Sequence, residues 1–383
     1  MKGKYERPIA KKIKLYKFEI RVIDIIFLFS VTFVSLLIRV SLYPWQSSDY
    51  LVHLEKWFLA YKNNIFETLK SPVGDYTAMY NYILAFLSLI GDNSLYLIKS
   101  ISVIFDFIGA IFFSKIIRKI CNENVSYLAY AIFLCLPTVI LNSSAWAQCD
   151  VIYVTFILIS FYQLLNEKES AALFFYSISL SLKLQAIFFL PFYLFLGVKK
   201  KIKFRCFLWI PIVYILSIIP MLCLGRPLIS CVKTYLVQMS EYNNLVYAAP
   251  TIYTFWDIDG LTLLVRTGVL YCVLIVGSLC YYCYEKVNVN TSKELLKFST
   301  LLVLIIPFLL PKMHDRYFIL ADIFTALCTI VDRKYFISFI ITCGCSTIVY
   351  IQFLFGSAYV DLRILTVLML IGIVYFVKIS YSK

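Results

Sequence analysis

Apolar residues come in long blocks along this chain, and the polar residues between them come in short clusters. An α-helix needs roughly 20 apolar residues to cross a bilayer core of about 30 Å. Blocks approaching that length cover about 23–40, 97–113, 125–141, 151–165, 207–224, 261–284, 298–310, 318–331, 335–354 and 364–377. The stretch 80–90 is apolar but too short to cross. It reads as a helix lying in the interface, closed by Gly91-Asp92-Asn93-Ser94. The run 171–196 is long but is interrupted by Lys183-Leu184-Gln185. Two short helices meeting at Lys183 keep both charged ends on one side of the membrane. Such a junction is tolerated where it faces protein or a wet cavity. With those halves counted, the pattern predicts about twelve spans. The expected fold is all-α and polytopic, with residues 1–383 as a single membrane domain.

Composition agrees, with 61% hydrophobic residues, 17% aromatic residues and a mean hydropathy of +0.83. The net charge of +14 does not indicate nucleic acid, because the basic residues sit between apolar blocks. Lys2, Lys4, Arg7, Lys11, Lys12, Lys14, Lys17 and Arg21 precede the first block. Lys115, Arg118 and Lys119 follow the second, and Lys199–Arg205 and Arg333-Lys334 mark later boundaries. These are topology anchors beside anionic lipid. They place both termini in the cytoplasm, with 43–95 and 225–260 as outer segments. The first block has no small-residue cleavage site and reads as an uncleaved helix. Twelve cysteines are scattered mostly within apolar blocks. The Cys280–Cys283 pair has redox or zinc-like spacing but no second pair, so packing is the expected role.

On this topology the unusual polar groups gather at outer ends of helices. They are Asp49, His53, Asp75 with Tyr76 and Tyr80, Gln148 and Asp150, Lys183 and Gln185, then Lys312, His314, Asp315 and Arg316. Ionisable groups near the apolar zone are costly and point to function. A carboxylate can take a proton from a nucleophile, and the cations Lys183, Lys312, His314 and Arg316 can hold a phosphate as it leaves. Blander roles exist for each acid: Asp49 and Asp150 stand where helix caps stand, and Asp75 suits a turn. Asp106 and Asp322, inside their blocks, are expected to be paired or packed within the bundle and are left out of the site. In 225–260, the mixture of Tyr, Asn and Trp fits either a sugar-binding surface or an interfacial aromatic belt.

In these stretches the chain resembles the bacterial membrane glycosyltransferases related to GPI mannosyltransferase II, within the wider GT-C class. The matching segments are Ser48-Asp49-Tyr50 with Trp57, Gly74–Tyr82, Trp146–Tyr153, Ser181–Gln185 and Pro311–Tyr317. They cover most of the chain in order. Thr77-Ala78 stand where the family often has Pro-Pro, and Asp315 where it often has Glu. The resemblance implies a polyprenyl-phosphate sugar donor and inverting transfer on the outer face. It implies Asp49 as the base, with Asp75 and Asp150 as supporting acids. Lys183, Lys312, His314 and Arg316 are then expected at the donor phosphate, and Tyr76, Tyr80, Gln148 and Gln185 at the substrate.

The expected protein is a mannosyltransferase-like enzyme of a bacterial plasma membrane. It moves one hexose or N-acetylhexosamine to an extracytoplasmic glycan, teichoic acid or lipid-linked acceptor. No cofactor is predicted; a divalent metal near Asp49 and Asp150 is not required, because the cations meet the phosphate charge. A lipid-linked sugar flippase predicts charges near the midplane and internal repeats, and no repeat is evident. A polysaccharide polymerase or ligase would need room for a longer donor. A non-catalytic membrane partner would tolerate loss of Asp49, Lys183 and Arg316.

Overall fold

The computed structural model describes residues 12–15, 18–71, 73–121, 123–240, 244–256, 262–356 and 360–381. Residues 1–11 of the basic arm lie outside this range, as do 241–243 and 257–260 of the expected outer segment. Among the described residues the chain is almost wholly helical. A two-stranded antiparallel pair, Lys12–Leu15 with Phe18–Arg21, precedes the first helix.

Six described helices are long and apolar enough to cross a membrane: Val22–Ser41, Ser94–Ile120, Phe204–Cys223, Leu263–Cys283, Arg333–Phe355 and Leu362–Tyr381. The bent pair Val125–Cys135 and Pro137–Ala145 makes a seventh if it is one span. By length and apolar character, six or seven spans are therefore shown among the described residues, and the expected twelve are not. The difference lies in shorter apolar helices, including Asp150–Leu165, Glu169–Leu182, Leu184–Val198 and Ile319–Val331. Sixteen residues in Asp150–Leu165 rise about 24 Å, short of the ~30 Å core. The helix Ser292–Leu309 begins before the apolar block and takes Lys293, Glu294 and Lys297 into its first turns. Ala78–Ile90 is a short apolar helix, as its length predicted.

Asp150–Leu165 is the middle of the bundle, buried along nearly its whole length. A helix apolar on every side is stable only where protein surrounds it. Its main neighbours are Ser94–Ile120 and Glu169–Leu182. Ser292–Leu309, Ile319–Val331, Phe336–Phe355 and Leu362–Tyr381 then pack one against the next. By contrast, only 11% of Val22–Ser41 is buried, which leaves most of its apolar surface facing outward. All twelve cysteines are free; Cys283 is buried and Cys280 half-buried.

Two breaks shape the end of the bundle that carries the unusual polar groups. Pro137 lacks the N–H that a continuing helix needs, and it pushes Leu136 into extended backbone. The chain bends by 51° there and ends in a wide π-helical turn, Leu141–Ala145. The second break is at Lys183, which is extended and separates Glu169–Leu182 from the 3-10 turn Leu184–Phe189. The sequence located this break correctly.

Asp106 is paired, as expected, and its partner is Arg39 in the first helix. Arg39 Nε donates to Asp106 Oδ2 at 2.7 Å, and both side chains are fully buried. Arg39 also donates to the Leu134 carbonyl, and Ser143 Oγ donates to the same carboxylate oxygen at 2.6 Å. Asp322 accepts from Ser346 at 3.0 Å. Breaking a buried pair strands one charge and costs about 3–5 kcal/mol, whereas replacing both partners by apolar groups is often neutral. Arg39→Met should therefore lower the thermal midpoint in detergent by several degrees. The double change Arg39→Met with Asp106→Leu should recover most of that loss.

Candidate functional site

The breaks leave a cavity of about 670 Å³ at one end of the bundle. Asp49, Asp75, Tyr76, Gln148, Lys183, Gln185, Lys312, His314 and Arg316 all line it. Asp150 and Tyr80 are buried beside it. Every residue singled out for the site thus comes to one place, from segments far apart in sequence.

Asp49 stands at the start of the helical stretch after the first long helix. Its carboxylate makes no capping bond; Ser47 Oγ accepts from the Tyr50 N–H instead. Asp49 Oδ2 accepts from Trp146 Nε1 at 2.9 Å, from Gln148 Nε2 at 2.9 Å and from Arg316 Nη1 at 3.2 Å. Its other oxygen, Oδ1, has no hydrogen-bond partner among the described residues. The loop before it is held from below. Lys99 Nζ is buried and donates to the carbonyls of Leu42, Tyr43 and Trp45 at 3.0, 3.0 and 2.5 Å. Ser47 Oγ donates to the Trp146 carbonyl at 2.8 Å.

Asp150 opens the central helix, and it too is bonded away from a capping role. Lys183 Nζ donates to its Oδ1 at 2.6 Å and Asn142 Nδ2 to its Oδ2 at 2.9 Å. Arg316 Nε stands 3.6 Å from Oδ2. Arg316 therefore bridges the two acids, and Lys183 is an ion-pair partner before it is anything else. The π-helical turn makes this possible. Trp146 N–H donates to the Leu141 carbonyl and Gln148 N–H to the Asn142 carbonyl, while Ala147 takes a φ of 64°. That turn aims Asn142 at one acid and Trp146 and Gln148 at the other.

The opposite wall is the turn between Ser292–Leu309 and Ile319–Val331. A short parallel pairing of Val246–Tyr247 with Met313–His314 fixes it, with Lys312 at a φ of 60°. The His314 ring stacks on Tyr247 at 4.7 Å between centres. Burial, together with the Arg316 and Lys183 charges, lowers the His314 pKa to about 3. The side chain expected there as a cation is thus favoured as a neutral ring. Burial raises the Asp315 carboxyl to about 7; Arg316 opposes this, and Asp49 and Asp150 add to it.

Gln185 Oε1 is buried with no donor among the described residues. Tyr76 donates to Gln148 Oε1 at 3.2 Å and packs on Tyr80 at 4.5 Å. One flank of the cavity is apolar, with Leu184, Ile187, Phe188, Val265 and Val269. Sequence reasoning assigned no role to Trp146, Asn142 or Lys99. Trp146 and Asn142 lie next to Gln148 and Asp150 in the chain, which was a usable signal. Lys99 gave none.

Among known proteins, the chain matches no family model and no curated protein. The arrangement itself defines what the site can do. One Asp49 carboxylate oxygen takes three donors, the other has no hydrogen-bond partner among the described residues, and the residue lines a cavity with Lys183, Lys312 and Arg316. The site thus combines a carboxylate, partly unbonded among the described residues, with those cations in one cavity.

Asp315 has a stability consequence. Between pH 4 and 7 the folded state keeps a proton that the unfolded carboxyl, with its ordinary pKa of 3.8, has released. Stability from this group therefore falls as pH rises through that window and is level above it. Asp315→Asn should flatten that part of the thermal midpoint between pH 4.5 and 8.

Proposed function

We propose that this protein is a GT-C-like, inverting membrane glycosyltransferase that moves one hexose or N-acetylhexosamine from a polyprenyl phosphate to an extracytoplasmic acceptor. The observation that carries this reading is the Asp49 carboxylate, with Oδ2 tied by three N–H donors and Oδ1 without a partner among the described residues. It stands in a cavity with Lys183, Lys312 and Arg316.

In the proposed reaction, Asp49 Oδ1 takes the proton of an acceptor hydroxyl. The acceptor oxygen forms a bond to the sugar C1 as the C1–O bond to phosphate breaks. The electron pair of that bond leaves with the polyprenyl phosphate, which departs as a stable anion. Lys312 and Arg316 stabilise the phosphate, with Lys183 behind them holding Asp150. His314, neutral, contributes a hydrogen bond. Gln185 Oε1 accepts from a substrate hydroxyl. The apolar flank of Ile187, Phe188, Val265 and Val269 suits the prenyl chain.

Charge supports an outward-facing site. The central helix starts at Asp150 and ends beside Glu167, which pairs with Lys201. Ile319–Val331 leads from Arg316 to Arg333 and Lys334. The basic clusters thus lie at helix ends remote from the cavity, as the positive-inside rule requires of a site on the outer face.

The test uses purified full-length protein in lipid, a radiolabelled polyprenyl-phosphate hexose and an envelope acceptor fraction. Wild type should transfer label. Asp49→Asn keeps the shape and removes the base, and should reduce transfer at least about a hundredfold, measured per folded protein because the Arg316 ion pair is lost as well. Movement of labelled lipid between leaflets, without transfer of any of several sugars, would overturn the reading in favour of a flippase.

A further inference from the structure

Resting on the transferase reading, we infer that the acceptor is a saccharide of at least two rings, and that Trp57 is the platform on which one of those rings stacks. Asp49, His53 and Trp57 recur every four residues along the helical stretch that begins at Asp49, and all three line the cavity. Trp57 is seated by backbone. An added Cβ at Gly74 would stand 2.4 Å from Cε2 and Cζ2 of the indole, and Gly74 has a φ of +65°. Only glycine fits both the contact and the conformation. Tyr76 meets the indole edge-on at 5.4 Å and His53 at a tilt at 5.7 Å. The ring is thus fixed from one face and its edges while still lining the cavity.

Asp75, the next residue after Gly74, also lines the cavity. A fixed aromatic surface beside a carboxylate matches the two surfaces of a sugar: C–H bonds pack on the ring, and hydroxyls donate to the acid. An open-chain polyol phosphate has no flat C–H face to offer and would bring its own negative charge to Asp75. Ring-bearing glycans are therefore favoured over polyol-phosphate polymers.

The position selects the acceptor over the donor. Lys183 Nζ stands 5.5 Å from the centre of the Tyr76 ring. Tyr76 also contacts Trp57, which joins the platform to the Lys183–Asp150 pair, whereas Lys312 and Arg316, the cations proposed for the donor phosphate, come from the separate turn after Ser292–Leu309. The eight steps from Asp49 to Trp57 pass through the π-helical turn Tyr50–Leu54 and rise roughly 10 Å, more than one sugar ring. The ring on Trp57 is thus a neighbour of the ring that receives the sugar.

The test pairs transfer with direct binding, using full-length protein in lipid. Probes are a linear hexose or N-acetylhexosamine oligosaccharide of two to four rings, the corresponding monosaccharide, and a glycerol-phosphate oligomer. Wild type should bind and glycosylate the oligosaccharide in preference to the other two. Trp57→Ala should raise the acceptor KM and the binding Kd by roughly tenfold, well beyond any change in donor KM. Trp57→Phe should restore most of the affinity, and Gly74→Ala should behave like Trp57→Ala. Equal use of the glycerol-phosphate oligomer, or an acceptor KM and Kd indifferent to Trp57→Ala, would overturn the inference. Trp57-dependent oligosaccharide binding without transfer of any sugar would uphold the platform and sink the transferase reading instead.

Discussion

The structure depends on one guanidinium placed between two acids. Arg316 meets Asp49 at 3.2 Å and Asp150 at 3.6 Å. Asp49 comes from the stretch after the first helix and Asp150 from the centre of the bundle. Arg316 comes from the turn between two later helices. Bringing any of these charges to a largely dehydrated place alone is costly, and paired they are tolerated. The three segments must therefore come to one register for Arg316 to meet both acids. Lys183 completes the set on the far side of Asp150.

Around that pairing, rigid supports replace the flexibility expected of a loop. Lys99 collects three carbonyls at the end of the first helix, which fixes the approach to Asp49. The turn at Leu141–Ala145 serves both sides. Asn142 reaches Asp150, while Ser143 reaches Asp106 and so joins the buried pair with Arg39. The site and the deepest ion pair in the first half of the chain are thus two ends of one hydrogen-bonded turn. Trp146 is held between Asp49 on its N–H and the rings of Tyr350 and Phe353. This ties the last part of the chain to the same place.

The site has an order to its chemistry. Cations and acids, apolar side chains and the contacting rings of Trp57 and Tyr76 all line the one cavity. The neutral His314 and the raised Asp315 carboxyl reduce the number of charged groups in the cavity lining, because burial disfavours the charged form of each.

The apolar blocks by themselves determined that the chain is helical and membrane-sized, because block length and helix rise are linked by geometry. The break at Lys183 was legible for the same reason, since a charge cannot continue an apolar helix without a partner. The acids and cations of the site were legible because each is expensive in an apolar chain. The number of long spans was not, because a block of 13 to 18 apolar residues reads alike whether lipid or protein surrounds it; only packing showed Asp150–Leu165 to be enclosed. Nor could the sequence decide pairing. Arg39 with Asp106, Lys99 with the carbonyls before Asp49, and Arg316 between two acids join residues from 54 to 267 positions apart. Local pattern carries no term for such separations. Burial by tertiary structure sets both the partners and the protonation of His314 and Asp315.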